Sequence, residues 1–415
     1  MKLPNQYRPW LFGFIFVNVI AAILMYYEQE LIGDLRGNKL GEPSHLWIAL
    51  SLIVLSYIIL LYPVYSFLLK IKIHQVKFKQ SEKVLGQRIG VAIFCLQILF
   101  FAFNSFYGVN TAGSNNTTAD TPLALLWVII PADTLFVLYY AFYRDNKYFK
   151  MNLFFWLLSN LIRGWAGIFL FVIFFEWCRV YRRGGVSLFK VVVVGAVILF
   201  LYPILSIFKW LMRASAGSSI DFQKIIAEVS HNLNGQDYFE LVQFGIEHII
   251  GRIQLTSILV EVINLKDRLQ THFISGDFQP FWMEGLHGIF IERLFLGYKS
   301  NNIGVAFTEY ANFGWAFDVG DWNINVSLPA WFFISPYLSV FYLIYIFLLC
   351  FFSVLLIKLI GETDESKDLV WLTWLVYLLP LWLGTFVAFI YALIVFLVLK
   401  LVLSNVPILK LRRNK

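Results

Sequence analysis

The sequence predicts an all-α polytopic membrane protein. Of its 415 residues, 59% are hydrophobic and only 14% are charged, and the mean hydropathy is +0.71. Soluble domains carry roughly a quarter charged residues, so this composition excludes a soluble enzyme and a disordered chain. Runs of about twenty apolar residues, the length of a helix that crosses the hydrocarbon core, recur along the chain.

Ten membrane-spanning helices are expected. Six correspond to single apolar runs, at 10–27, 46–69, 89–107, 122–143, 186–208 and 332–360. Two longer stretches, 148–178 and 369–404, each predict two helices joined by a bend, at Arg163-Gly164 and around Pro380 to Gly384. The first run is too long for a signal-peptide core and lacks a clear cleavage site, which favours an uncleaved span.

The basic residues predict the orientation of the chain. With the N-terminus in the cytoplasm, 22 of the 33 lysines and arginines fall on the cytoplasmic side, and the basic C-terminal tail returns there. The net charge of +7 is thus explained by membrane topology, and no nucleic-acid partner is expected. The lipid bilayer is the expected environment.

Three regions follow from this topology. Residues 1–208 form an N-terminal bundle of about seven spans, 209–331 form a large external segment, and 332–415 form the last helices with a basic tail. Helical spacing of apolar residues fills much of the external segment, which predicts one long helix over Leu241 to Leu265 and another over Phe281 to Leu296. Long ordered segments of this kind usually carry function.

Neither a metal site nor a cofactor is expected. Cys95, Cys178 and Cys350 lie in apolar runs, where they predict packing residues and neither disulfides nor metal ligands. The motifs of a phosphate-binding loop and of a serine nucleophile do not occur in the sequence.

Arg163 is the strongest single indication of function. It lies in the stretch 159–165 (SNLIRGW), at the outer bend of a hairpin between two apolar helices. A guanidinium at membrane depth is costly and usually marks a function, and at headgroup level its planar fork suits a phosphate or a diphosphate. The alternative is an arginine that only anchors the bend.

Two residues of the external segment are further catalytic candidates. Arg252, in the stretch 247–254 (EHIIGRIQ), would bind the other end of a diphosphate, or else lies on a solvated helix face. Glu309, in 307–315 (FTEYANFGW), is a carboxylate among aromatic residues, which suits a general base that takes a proton from a sugar hydroxyl. The alternative is that Glu309 has a structural role, in a turn by which the external segment docks.

Four other external residues are candidates for binding anions or sugars: His287, Arg293, Lys299 and Asn302. The external histidines are alternative bases, with His287 slightly ahead of His231, His248 and His272. No two of them have the spacing of a zinc site with a third ligand.

Together these features resemble the bacterial O-antigen polymerases, the Wzy type, which are related to the O-antigen ligases. The resemblance rests on about ten spans with a large external segment before the last helices, on the bend 161–170 (LIRGWAGIFL) and on 308–315 (TEYANFGW). Arg252 is similar to an arginine of the family's long external helix. The chain has Thr308 where the family has glycine, which leaves the catalytic residue open.

The resemblance implies a GT-C-type glycosyltransferase in the bacterial inner membrane, with its active site facing the periplasm. It would move the growing glycan from undecaprenyl pyrophosphate to the terminal sugar of a new lipid-linked repeat unit, without metal. Both substrates would be undecaprenyl-pyrophosphate-linked oligosaccharides, and a chain-length-regulating co-polymerase and a flippase would be partners. Arg163 and Arg252 would stabilise the departing diphosphate, and Glu309 would activate the acceptor hydroxyl.

Other functions fit the same sequence. An O-antigen ligase uses the same donor, although the similar ligase stretch has histidine at the position of Glu309. A flippase or transporter of lipid-linked sugars would more commonly show inverted repeats and charges at mid-membrane. A non-catalytic assembly scaffold is the third alternative.

Overall fold

The chain's structure, a computed structural model, describes residues 4–111, 119, 121–165, 167–185, 193, 195, 238–292, 295, 301–311 and 323–406. Within these ranges the chain is helical, and extended pairing is limited to two isolated bridges, Glu30 with Lys39 and Phe278 with Asn301. The expected all-helical fold is thereby confirmed.

The first part of the chain forms the helices α1 (Arg8–Glu28), α2 (Pro43–Lys70), α3 (Glu82–Tyr107), α4 (Pro122–Ile129), α5 (Ala132–Tyr143), α6 (Phe149–Ile162) and α7 (Ile168–Arg182). The run 122–143 was expected as one helix, but Pro131 divides it into α4 and α5. Proline lacks the N–H of the helical ladder, and its ring crowds the preceding turn. The expected bend after α6 is present at Arg163-Gly164, where Gly164 has a φ of +75°.

The middle part of the chain, where the sequence predicts an external segment, forms α8 (Tyr238–Ile253), α9 (Thr256–Asn264), α10 (Lys266–Ser275), α11 (Leu286–Ile291) and α12 (Ile303–Tyr310), and α13 (Trp331–Ile334) follows at its end. The helix over Leu241 to Leu265 is therefore broken, between α8 and α9. Part of the helix expected over Phe281 to Leu296 is present as α11, preceded by a single 3-10 turn at Phe281–Met283.

Two side chains cap the start of α9, where the expected helix is broken: the local Gln254, whose Oε1 accepts from the N–H of Ser257 at 2.9 Å, and the remote Asn18. Asn18, in the middle of α1, accepts hydrogen bonds through its Oδ1 from the N–H groups of Leu255 and Thr256, at 2.8 and 3.2 Å. It also accepts one from the hydroxyl of Thr256, at 2.9 Å. Because Asn18 satisfies donors that a new helix leaves unpaired, it takes the role of an N-cap for α9. At its other end, α9 is held by a 2.7 Å hydrogen bond between Asn264 and His45 of α2.

The last part of the chain forms α14 (Ser339–Ile360), α15 (Asp364–Thr373, prolonged by a π turn at Trp374–Leu378) and α16 (Leu383–Asn405). The bend between α15 and α16 lies in the expected region around Pro380. Thr363 and Ser366 form a reciprocal capping box that fixes the start of α15.

Six helical segments in the described ranges are long and apolar enough to cross a membrane: Arg8–Glu28, Pro43–Lys70, Glu82–Tyr107, Pro122–Tyr143, Pro336–Ile360 and Leu383–Asn405. A polytopic membrane protein is thereby supported. Three other expected spans are short in the structure, since α6, α7 and α15 with its π turn have 14, 15 and 15 residues. Such helices are about 21–23 Å long, against a hydrocarbon thickness of about 30 Å. The expected span at 186–208 lies outside the described residues, apart from positions 193 and 195.

Ionic contacts join the helices at one end of the bundle. The buried Asp368 of α15 accepts hydrogen bonds from the Tyr7 hydroxyl at 2.8 Å and from Arg182 of α7 at 2.6 Å. Lys400 of α16 lies 3.0 Å from Glu82 of α3. These contacts hold the first and last helices together at the end where the sequence places the basic residues.

Candidate functional site

A cavity of about 480 Å³ lies between described parts of 279–326 and the bend before α16. Its polar wall includes the hydroxyls of Thr385 and Tyr391 together with two carboxyl and five carboxamide side chains: Glu284, Glu292, Gln279, Asn301, Asn302, Asn323 and Asn325. Its apolar wall comes from the junction of α4 and α5, the bend and the start of α16, with Val128, Pro131, Leu381, Trp382 and Ala388. This volume falls within the range of roughly 300–1,000 Å³ that is usual for small-molecule sites.

Glu284 is the most unusual group in this wall. It is 6% exposed, and its Oε1 has no hydrogen-bond partner among the described residues. Burial disfavours the charged carboxylate, which raises the pKa of Glu284 to about 8. A buried carboxyl with a free oxygen and a raised pKa, facing a cavity, is typical of a functional site.

Aromatic packing fixes the segment that carries Glu284. The ring of Phe281 lies 4.9 Å from Tyr342, 5.5 Å from Tyr345 and 5.1 Å from Trp331. The N–H of Glu284 donates to the carbonyl of Phe281 at 3.3 Å. The turn that precedes Glu284 is therefore anchored to α13 and α14.

Two glycines allow the close approach of backbone around Glu284. Gly285 has a φ of +116°, and a Cβ at this position would lie 2.8 Å from Val387 of α16. A Cβ at Gly288 would lie only 1.6 Å from the carbonyl oxygen of Met283. Side chains at either position would push the Glu284 turn away from its present place.

The carboxamides of the opposite wall are held equally firmly. Asn302 caps α12 by accepting a hydrogen bond from the N–H of Val305 at 2.9 Å, which leaves its amide donors for the cavity. Asn323 packs so tightly on Gly304 that a Cβ there would lie 1.8 Å from its Oδ1. Thr308 links the two segments, since its hydroxyl accepts from the N–H of Ile324 at 3.3 Å.

The remaining edge of the cavity contains strained backbone. Ser327 and Leu381 are non-glycine residues with φ of +73° and +62°. Their segments are joined by backbone hydrogen bonds from Ser327 to the carbonyl of Pro380 at 3.1 Å and from Leu328 to that of Leu379 at 2.8 Å. Strain of this kind is concentrated at functional sites, where the surrounding structure maintains it.

Of the four candidates for binding anions or sugars, Asn302 lines the cavity. His287 is exposed, and its Nε2 donates to the carbonyl of Trp282. Arg293 and Lys299 lie outside the described residues, although they follow Glu292 and precede Asn301 of the cavity wall.

The three catalytic candidates do not line the cavity. Glu309 is an exposed residue of α12. The Nη1 of Arg252 lies 3.2 Å from Asp34, and the Arg252 side chain is 50% exposed. The backbones at Gly251 and Gly33 meet beside this pair, since a Cβ on Gly251 would lie 2.7 Å from Gly33.

Arg163 is buried and engaged within the protein. Its Nη2 lies 2.6 Å from Asp133, its Nε donates to the Ser159 carbonyl at 3.2 Å, and its guanidinium lies over the ring of Phe100. Asp133 is two residues beyond Pro131, which lines the cavity. Arg163 therefore holds the bend after α6 against the start of α5, next to the cavity wall.

Sequence reasoning missed Glu284. The only local signal was a carboxylate between the apolar turn 281–283 and Gly285, and an exposed glutamate would look the same. Its burial depends on α16, about a hundred positions later in the chain. No group of three or more His, Cys, Asp or Glu side chains that could hold a metal ion occurs in the described ranges.

Comparisons of the chain with protein-family models, with curated proteins and with solved structures gave no match.

Proposed function

We propose that this protein is a membrane glycosyltransferase that polymerises lipid-linked oligosaccharide repeat units. It would transfer the growing glycan from undecaprenyl pyrophosphate to the terminal sugar of a new lipid-linked unit. The observation that carries the proposal is the buried Glu284, whose Oε1 has no partner among the described residues, in a carboxamide-lined cavity at the ends of membrane helices. Carboxamides both donate and accept hydrogen bonds, as sugar hydroxyls require. The resemblance of 161–170 and 308–315 to O-antigen polymerases supports the same chemistry.

In the proposed reaction, Glu284 is the general base. Its carboxylate takes the proton of an acceptor hydroxyl, and the acceptor oxygen forms a bond to the anomeric carbon of the donor. The bond from that carbon to the diphosphate oxygen breaks, and undecaprenyl pyrophosphate leaves with the electron pair. A carboxyl with a pKa of about 8 is a stronger base than an ordinary one. Glu309 is the second candidate for this role.

The arginines have different proposed roles. Arg252, which does not line the cavity, is proposed to bind the diphosphate of a lipid-linked substrate at the protein surface, through a half-exposed guanidinium that lies 3.2 Å from Asp34. Arg163 acts as a positioning residue, because its pairing with Asp133 fixes the helix junction at Pro131. His287, Arg293, Lys299 and Asn302 are proposed contacts to the sugars and the diphosphate.

The same proposal includes the finer architecture. The chain would have ten spans, a GT-C-type arrangement and both termini in the cytoplasm of a bacterial cell. The cavity would face the periplasm at the outer headgroup level of the inner membrane. A chain-length-regulating co-polymerase and a flippase would act beside it, and no cofactor is required.

The first test is a gel of surface glycolipids from cells without this gene and from cells in which it is restored. A polysaccharide ladder that collapses to a single-repeat band, and returns on restoration, is the expected result. Loss of the single-repeat band as well would indicate one of the alternatives, an O-antigen ligase or a lipid-linked oligosaccharide flippase. An unchanged ladder would refute the proposal.

Variants of the restored gene then distinguish the two candidate bases. Glu284→Gln is expected to leave only the single-repeat band, with normal amounts of protein in the membrane. Glu28→Gln, at an exposed glutamate at the end of α1, is the matched control and should give a normal ladder. Loss of the ladder in Glu309→Gln but not in Glu284→Gln would assign the base to Glu309.

A further inference from the structure

The connection between α2 and α3 concentrates positive charge at the membrane surface. The stretch 70–83 (KIKIHQVKFKQSEK) has a single carboxylate, Glu82, and its lysines are all exposed: Lys70, Lys72, Lys77, Lys79 and Lys83. Both helices that it joins are long and apolar enough to cross a membrane. A segment that links the ends of two such helices lies at the level of the lipid headgroups.

Carboxylates at this end of the bundle are already paired with other cations. None of the lysines of 70–83 has a hydrogen bond or an ion pair with a described residue. The pairs that do form here are Glu82 with Lys400 at 3.0 Å, Glu362 with Lys358 and with Lys367 at 2.9 Å, and Asp368 with Arg182 at 2.6 Å.

The neighbouring undescribed stretches do not add negative side chains. The chain continues from α7 into 186–220 and from α16 into 407–415. Neither stretch contains an aspartate or a glutamate, whereas both contain lysine and arginine. The negative charge that the lysines of 70–83 require is therefore expected from outside the chain.

Contacts with the bundle hold this connection in place. The N–H of Val76 donates to the carbonyl of Leu359, near the end of α14, at 3.0 Å. The half-buried ring of Phe78 packs against the hydrophobic core, while Lys77 and Lys79 on either side of it are exposed. Because the backbone is already fixed, little conformational freedom is lost when these lysines bind an anion.

We propose that residues 70–83 form a binding surface for anionic lipids, whose headgroup phosphates pair with the lysines. Each lysine near a membrane surface favours anionic lipid by about fivefold. An ammonium group is a point charge with three rotatable donors, so it suits lipid phosphates that are not held in one orientation. A zwitterionic headgroup carries its own cation and gives no such net attraction. This inference does not depend on the proposed transfer reaction.

The test uses the purified full-length protein in detergent micelles. Phosphatidylglycerol and phosphatidylcholine with the same acyl chains are added in equal amounts, and native mass spectrometry counts the lipids of each kind that stay bound. Bound phosphatidylglycerol should exceed phosphatidylcholine by at least about fivefold. The excess should shrink at high salt, which screens exposed charges. Equal retention of the two lipids would overturn the inference.

A double variant locates the binding surface. Lys77→Gln with Lys79→Gln should lower the ratio of the bound lipids by at least about fivefold. Lys39→Gln with Lys266→Gln is the matched control, because it removes the same charge from exposed lysines at the opposite end of α2, and it should keep the ratio. Thermal unfolding checks that both variants are folded. An unchanged ratio in the first variant, or an equal fall in both, would overturn the inference.

Glycerol phosphate, a soluble counterpart of the lipid headgroup, distinguishes a lipid surface from a site for a soluble anion. Added in excess at constant ionic strength, it should leave the phosphatidylglycerol bound. Displacement would assign the lysines to a soluble phosphate and overturn the lipid assignment. The glycolipid gel remains a separate test, since a ladder that does not depend on the gene would refute the polymerase proposal and leave the lipid ratio unaffected.

Discussion

The guanidinium of Arg163 lies 2.6 Å from the carboxylate of Asp133, and this pair links the bend after α6 to the first turn of α5. The Arg163 side chain is 5% exposed and that of Asp133 is 31% exposed. Asn160 also donates to Asp133, at 3.0 Å. Because α5 starts beside Pro131, the pair sets the position of one cavity wall.

Arg163→Ala should therefore destabilise the protein and impair polymer formation together. Breaking a buried pair costs about 3–5 kcal/mol, and the partial exposure of Asp133 reduces the expected loss to roughly 1–3 kcal/mol. Thermal unfolding in detergent measures the loss of stability, and the glycolipid ladder measures the loss of activity. Arg163→Lys should fail largely as well, because an ammonium cannot maintain the bonds to both Asp133 and Ser159.

Arg36→Ala is the control for this prediction. The Nη1 of Arg36 lies 3.6 Å from Glu247, and the two side chains are 74% and 48% exposed. A pair of this kind contributes about 0–1 kcal/mol, so Tm should change little. Equal losses of Tm in the two variants would show that burial of the Arg163 pair has no special importance.

Glu284→Gln should stabilise the protein, and only at high pH. Burial raises the pKa of Glu284 from 4.5 to about 8, so between these values the folded chain holds a proton that the unfolded chain has lost. Stability then falls as the pH rises through this window and stays low above it. The neutral glutamine removes this loss, which is on the order of 5 kcal/mol at full ionisation. Unfolding in detergent should show a higher Tm for the variant at pH 9 and nearly equal Tm values at pH 5, whereas a difference that does not depend on pH would contradict the prediction.

The rate of glycan transfer should rise with pH and level off above about pH 8. In the proposed mechanism only the carboxylate form of Glu284 accepts the proton, and burial raises the pKa of that group to about 8. Initial rates with purified protein and lipid-linked repeat units, measured from pH 6 to pH 9, test this expectation. A flat profile, or a rise that persists in Glu284→Gln, would assign the titration to another group.

Gly304→Ala should displace Asn323 from the polar wall of the cavity. The added Cβ would lie 1.8 Å from Asn323 Oδ1, so Asn323 must leave its position. We expect less polymer in the glycolipid ladder and a loss of stability of about 1–3 kcal/mol. Gly13→Ala in α1 is the control, since a Cβ there meets nothing within 4 Å, and it should leave the ladder and Tm unchanged.

Asn18→Leu should loosen α9. The substitution removes the acceptor of two backbone N–H groups and one hydroxyl in a buried environment, and a buried unpaired donor costs about 1–3 kcal/mol. Amide hydrogen exchange of 254–264 should accelerate, while exchange in α14 should not. Unchanged exchange at Leu255 and Thr256 would show that Asn18 does not cap this helix.

The sequence predicted the class of fold because apolar length and turn residues are local properties. The bends at Arg163-Gly164 and near Pro380 could be located because each apolar run is too long for one helix and contains a glycine or a proline near its middle. The break before α9 could not, since Asn18, one of the two side chains that cap α9, lies more than two hundred positions away in the chain. Pro131 is evident in the sequence, but apolar residues on both sides of it are compatible with one kinked helix as well as with two helices.

The candidate site was harder to predict for the same reason. Asn302 was identified as a polar residue and does line the cavity. Arg163 was identified because it is a charged residue between apolar helices. The sequence around it does not show that Asp133 is its ion-pair partner. Glu284 gave no signal, because its burial arises from contacts of the neighbouring turn with α13, α14 and α16.

The hydrogen bond between Tyr7 and Asp368 joins residues 361 positions apart, which constrains how the protein is made. The ribosome adds Tyr7 and Arg182 long before it reaches Asp368, the partner of both. In the same way, Asn18 is synthesised long before Leu255, from whose N–H it accepts a hydrogen bond. During translation these polar groups reside in or next to the bilayer without their final contacts, so the early helices must be inserted before the bundle can close. A chain truncated ahead of residue 368 would keep Arg182 without the carboxylate that it meets in the finished protein, and it would be an expected substrate for membrane quality control.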